Sequence, residues 1–148
     1  MSRIDFAFKA PHRLRTACEV VHRHYLAGRR LIVYTRDPQR LSYFDQLLWG
    51  FDPVAFVPHV HSDDPLASET AIILTDTDPA AARERAAAPD AWLFNLDVEC
   101  PPGAGAFQRI IEIVSDHEQD KAAARLRWRD YTAAGHELHA HDLTKIRE

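Results

Sequence analysis

Cysteine is scarce: Cys18 and Cys100 are the only two among 148 residues. No C-x-x-C spacing occurs, which excludes a zinc ribbon and a thioredoxin-type redox centre. Two isolated thiols suit a reducing cytoplasm, although the sequence alone leaves a disulfide open. The five glycines build no phosphate cradle. Neither G-x-G-x-x-G nor G-x-x-x-x-G-K-[ST] is present. The first strand leads into Lys9-Ala10-Pro11-His12, with no glycine to admit a pyrophosphate. No apolar run approaches the ~20 residues of a membrane span. Arg3 and Asp5 are followed by no apolar core of a secretory signal. A basic excess is missing as well. The net charge of −4 repels phosphate, so a nucleic-acid role would be indirect or would need a local basic patch.

What is present describes an ordinary globular chain. With 46 % apolar and 27 % charged residues over 148 positions, one domain spanning 1–148 with a proper core is expected. Ile4, Phe6 and Phe8 alternate as in a strand. Pro11 opens a helix with an apolar face at Leu14, Ala17, Val20, Val21 and Tyr25, closed by Gly28. Leu31–Tyr34 and Ala71–Leu74 read as strands buried on both faces. Asp37-Pro38 and Asp78-Pro79 are helix starts, each an N-cap followed by a first-turn proline. The helix after Asp37 buries Leu41, Phe44, Leu47 and Leu48. Trp92–Leu96 is a further strand. Phe107, Ile110, Ile111 and Val114 fall at helical spacing, and a last helix covers about Asp120 to Ala134, stopped by Gly135. The polar segment 136–148 is expected to be a loosely packed tail. Alternating strands and helices predict a single three-layer α/β/α domain with a mainly parallel sheet, Rossmann-like but without a nucleotide-binding motif.

The chain is organised around Leu47–Val60, an apolar, aromatic stretch broken by Gly50, Pro53 and Pro58. Such a connection runs over the surface. Its side chains fold back on the core, or some of them, Trp49 and Phe56 first, form a patch for another protein.

Catalytic and metal chemistry find little support, and no cofactor is expected. Asp76 and Asp78 resemble the D-x-D of metal-dependent phosphatases, but an N-cap role accounts for Asp78 and solvation for Asp76. The pairs His22/His24, His59/His61 and His139/His141 lack the neighbours of a zinc set, and scattered solvated histidines are the simpler reading. No serine has a nucleophile-elbow context.

The last helix carries the strongest signal. Lys121, Arg125 and Arg129 recur every four residues, with Trp128 at the edge of their face. Either this is a solvated face with Trp128 and Leu126 in the core, or it is a site for an acidic peptide with an apolar end. Direct DNA binding by the same stripe is a third reading.

Leu48-Trp49, Phe56–His59, the strands at 71–74 and 92–96, Ile110–Val114, Ala124–Tyr131 and His141-Asp142-Leu143, taken in order, resemble the chi subunit of bacterial DNA polymerase III. The resemblance spans essentially the whole chain. It implies a non-catalytic, cytoplasmic clamp-loader accessory, monomeric or paired with a psi subunit. Its partners would be psi and the acidic C-terminal tail of single-stranded DNA-binding protein, a tail of aspartates ending in Pro-Phe. DNA contact would be indirect. By position, the resemblance places the tail site on Val114, Lys121, Arg125, Trp128 and Arg129, with Trp128 where a tyrosine is common. It places the psi contact around Trp49, Phe56 and Val57. A small Asp-dependent phosphatase using Asp76 and Asp78, or a DNA-binding module using the basic helix, are the competing functions.

Overall fold

The computed structural model describes residues 1–146. Strands β1 (Arg3–Ala10), β2 (Leu31–Tyr34), β3 (His59–His61), β4 (Ile72–Thr75), β5 (Trp92–Asn95), β6 (Arg109–Ser115) and β7 (Glu137–Asp142) form one sheet. Helices are α1 (Arg13–Leu26), α2 (Pro38–Gly50), α3 (Pro79–Arg85), α4 (Glu118–Ala133) and α5 (Leu143–Ile146). The strand order is β3-β4-β2-β5-β6-β1-β7, and all pairings are parallel. One apolar core packs α1 and α2 on one face through residues such as Val21, Phe44, Val33 and Phe94. A second packs α3 and α4 on the other through Ala82, Tyr131, Ile32 and Ile110. This is the three-layer α/β/α domain that the alternating pattern predicts.

Local signals set the helix ends. Asp37 accepts from the Gln39 N–H at 3.0 Å and Asp78 from the Ala80 N–H at 3.0 Å, each before a first-turn proline. α1 begins two residues after Pro11, with His12 as its cap. Gly28 and Gly135 lie at φ +80° and +85° just past α1 and α4, where a Cβ would be strained.

Two segments differ from their sequence reading. Residues 107–114 do not form a helical stripe; Arg109–Ser115 is β6, buried on both faces between β5 and β1. Glu112 interrupts the apolar run and hides the strand. The segment from 136 is no loose tail: Glu137–Asp142 pairs with β1 from Arg3↔Glu137 to Phe8↔Asp142, and Leu143 is buried. Its polar composition suits an edge strand, which has one face and one side open to water. Residues 147–148 of that expected tail lie outside the described residues. β3 is a further addition, a short edge strand starting just after Pro58.

Connections leave the carboxyl ends of β2 and β5 in opposite directions, the place where sheets of this kind bind nucleotides. Here the chain's own side chains fill it. Asp97 accepts from Thr35 Oγ1 at 2.9 Å and from the Arg36 N–H at 3.2 Å. Arg13 donates to the Asp97 carbonyl at 2.9 Å and to the Ile113 carbonyl at 3.0 Å.

Candidate functional site

Four elements enclose a cleft of about 340 Å³ on the α4 face. Phe6 and Phe8 of β1, Val114 of β6 and Ala140 of β7 line it together with Lys121, Ala124, Arg125 and Trp128 of α4. Ala140 sits directly beside Phe6 in the β1–β7 register. Its methyl group is too small to cover the Phe6 ring, so the groove stays open. Trp128 is 37 % exposed, and its ring tilts at 59° against Phe6 with centroids 5.1 Å apart. Phe6 is held from behind by an edge contact to Tyr131 at 5.9 Å. Leu126, the other candidate for the core, is exposed.

The rim is cationic. Lys121 pairs with Glu118 at 3.0 Å, and Arg125 is exposed. The Lys121 hydrogen bond, then its charge, hold the Glu118 carboxyl below the usual range, with a smaller pull from Arg125. Arg129 does not reach the cleft. Each four-residue step turns an α-helix by about 40°, so eight residues carry a side chain about 80° away. Trp128, seven after Lys121, returns to within about 20° and is therefore the better neighbour. A further cation, which no sequence spacing marks, stands beside Phe8 without lining the cleft. Lys9 lies at φ +66° where the β1–β6 register slips. Its ammonium is 5.7 Å from the Phe8 ring centroid and 3.0 Å from Asp142.

A buried polar cluster anchors α4 beneath the cleft. Arg127 is 1 % exposed. Its Nε donates to Glu112 Oε1 at 3.1 Å and its Nη1 to the Val98 carbonyl at 3.1 Å. Glu112 Oε2 accepts from Tyr131 Oη at 2.8 Å and Asn95 Nδ2 at 2.8 Å. Burial, then the Glu112 charge, push the Tyr131 phenol upward, so it stays a donor.

The aromatic connection presents a second surface. Trp49 is 50 % exposed and Phe56 64 %, with ring centroids 5.6 Å apart. Val57 differs from the expectation for this patch: at 1 % exposed it belongs to the core and offers no surface to a partner. Exposed Val54 stands nearby in the chain. His59 also departs from the picture of solvated histidines. It is buried, bonded to Asp45 and the Val57 carbonyl, and its ring is 4.3 Å from that of Trp49.

The remaining candidates are not brought together. No group of three or more His, Cys, Asp or Glu could hold a metal ion among the described residues. Asp78 is spent on its cap, and Asp76 faces His61 at 3.6 Å. Both thiols are free. Burial pushes Cys18 up to about 12 and Cys100 up to about 11, which leaves neither thiol nucleophilic at neutral pH. No helix among the described residues is long and apolar enough to cross a membrane.

The fold and its surfaces thus define an α/β/α protein whose nucleotide crevice is plugged and whose accessible features include a cationic, aromatic cleft and an exposed aromatic pair. Residues 1–139 match the family described as DNA polymerase III chi subunit, HolC, and the chain belongs to that family. It is 28 % identical over 150 residues to the DNA polymerase III subunit chi of Pseudomonas aeruginosa, covering 99 % of this chain and 100 % of that protein. It is 26 % identical over 121 residues to the subunit chi of Escherichia coli, covering 82 % and 79 %. The Haemophilus influenzae subunit chi is 25 % identical over 122 residues, covering 82 % and 81 %.

Proposed function

We propose that this chain is a non-catalytic, cytoplasmic subunit of the replicative polymerase's clamp-loader complex, and that it ties the loader to single-stranded DNA-binding protein. The acidic C-terminal tail of that protein would lie in the α4 cleft. The observation that carries the reading is the pairing of an apolar trough with cations on one rim. A terminal Phe side chain would enter between Phe6, Val114 and Trp128, and its carboxylate would meet Lys121 or Arg125. Arg129, outside the trough, would meet only upstream aspartates. The exposed pair Trp49 and Phe56, with Val54, would take the psi subunit.

The magnitudes suit a transient contact. Burying a terminal Phe contributes about 1.5–3 kcal/mol. A charge-assisted bond to its carboxylate contributes about 1.5–3 kcal/mol, and each exposed ion pair about 0.2–1 kcal/mol. After ordering costs, a Kd near the micromolar scale, roughly −8 kcal/mol, follows. Carrying both surfaces on one chain raises the effective concentration of the loader at coated template.

Isothermal titration with a peptide of several aspartates ending in Pro-Phe tests the reading. Arg125→Ala should weaken binding strongly while the thermal unfolding midpoint is unchanged. Equal affinity for wild type and variant would refute the cleft assignment.

A further inference from the structure

The opposite face of β1 carries a second cavity that the proposed bridging role does not use. Asp5 and Ala7 alternate with Phe6 and Phe8, and they border a space of about 250 Å³ between α1 and the sheet. Its charged and titratable lining is Arg23 and His24 of α1, Arg29 just after it, Arg109 at the start of β6, Asp5, and His141 of β7. Trp92 forms one wall. The Arg29 guanidinium lies 4.6 Å from its ring centroid and that of Arg109 4.2 Å. Each guanidinium spends one terminal nitrogen, Arg29 on His24 and Arg109 on Asp5. Arg109 Nε is buried without a hydrogen-bond partner among the described residues, a donor that an oxyanion would satisfy.

The local charge is opposite in sign to that of the whole molecule. Three arginines face one carboxylate in this lining, on a chain of net charge −4. Asp5 is already engaged, 2.7 Å from Arg109, 3.2 Å from Arg3 and 2.8 Å from the His141 ring. Burial alone would raise its pKa, but these three hydrogen bonds outweigh burial and lower it. The same arginines act on His24. Burial first, then Arg29, Arg23 and Arg109, push its pKa down to about 4. The neutral ring accepts from Arg29 at 3.1 Å through Nδ1, which leaves its proton on Nε2.

We propose that this cavity is a phosphate-binding site that takes a phosphodiester of single-stranded DNA. An arginine fork matches a phosphate's paired oxygens, and three such groups around one small space favour it over a single carboxylate. The choice of DNA as the source rests on membership of a polymerase-subunit family; the phosphate chemistry rests on the cavity alone. Here, not on α4, is the local basic patch that an acidic chain needs for such contact. The cleft and this cavity lie on opposite faces of β1, so an acidic peptide and a strand do not compete.

The test uses fluorescein-labelled dT20 and inorganic phosphate, with wild type and an Arg23→Ala/Arg29→Ala double variant. At low salt, anisotropy should show wild type binding dT20. The double variant should bind about tenfold or more weakly, with a salt slope smaller by about 1. Its affinity for the Phe-terminated acidic peptide should be unchanged, which separates this site from the cleft. By NMR, either ligand should raise the His24 pKa from about 4. A response to inorganic phosphate with none to dT20 would overturn DNA as the ligand. Equal dT20 binding by wild type and double variant, or a His24 resonance unmoved by both ligands, would overturn the proposal.

Discussion

His59 and Asp45 meet at 2.6 Å, Nε2 to Oδ1, beneath the exposed Trp49. The other ring nitrogen lies 2.7 Å from the Val57 carbonyl. One buried side chain therefore ties α2, at Asp45, to the start of β3 and packs against the Trp49 indole. His59→Ala leaves the Val57 carbonyl unpaired and should cost about 1–3 kcal/mol in urea unfolding. It should also weaken capture of psi by disordering Trp49. Phe56→Ala removes a largely exposed ring that meets the Trp49 ring, so it should weaken capture with a stability change within about 0.5 kcal/mol. If His59→Ala is as stable as wild type, the tie has no structural weight.

Arg127 and Glu112 make a different prediction, because both are fully buried. Arg127→Met leaves the Glu112 carboxylate without its only charge at 3.1 Å, and the next cation, Arg13, is 3.7 Å away. The expected loss is about 3–5 kcal/mol. Tyr131→Phe removes one hydrogen bond to the same carboxylate and should cost about 1 kcal/mol. A combined Glu112→Leu/Arg127→Met variant should recover part of the loss, since no charge is then stranded. Equal destabilisation by Arg127→Met and Tyr131→Phe in chemical denaturation would contradict this.

That cluster also explains what the sequence concealed. The runs at 31–34 and 71–74 and the two Asp-Pro starts are local signals, and they were legible. β6 was not, because Ile110, Ile111 and Val114 also satisfy a helical spacing and Glu112 breaks the apolar run. What neutralises Glu112 comes from Asn95, Arg127 and Tyr131, which only the fold brings together. β7 was hidden for the same reason, since its one partner, β1, lies at the other end of the chain. The cationic and aromatic side of the cleft is written on one helix and could be read. Phe6, Phe8 and Ala140 come from two strands whose adjacency no local pattern reveals. Lys9 stands beside Phe8 through a register slip that no periodicity predicts.

His24 links stability to pH. Its folded pKa is about 4 against an ordinary 6.5, so the unfolded chain takes up a proton first as pH falls. Stability contributed by the neutral ring is complete above about 6.5 and is lost as pH drops toward about 4. The loss is on the order of 2 kcal/mol, allowing for partial exposure of the ring. His24→Gln keeps an acceptor for Arg29 without a titrating proton. The stability difference between wild type and His24→Gln should be flat above pH 7 and should slope across the lower window. A difference independent of pH would mean that His24 titrates normally in the folded protein.

Ala140 offers a test of the cleft that does not depend on charge. It is exposed on edge strand β7, beside Phe6 in the register, so Ala140→Leu adds bulk over the trough without touching the core. Strand propensity favours the larger residue, and the unfolding midpoint should hold. Affinity for the Phe-terminated acidic peptide should fall about tenfold, which is about 1.4 kcal/mol. The two cleft variants should then separate with ionic strength. Arg125→Ala removes a screened attraction, so its deficit should shrink as salt rises. Ala140→Leu blocks space, and its deficit should stay constant. If Ala140→Leu binds the peptide as wild type does, a terminal phenyl ring does not occupy the trough between Phe6 and Trp128.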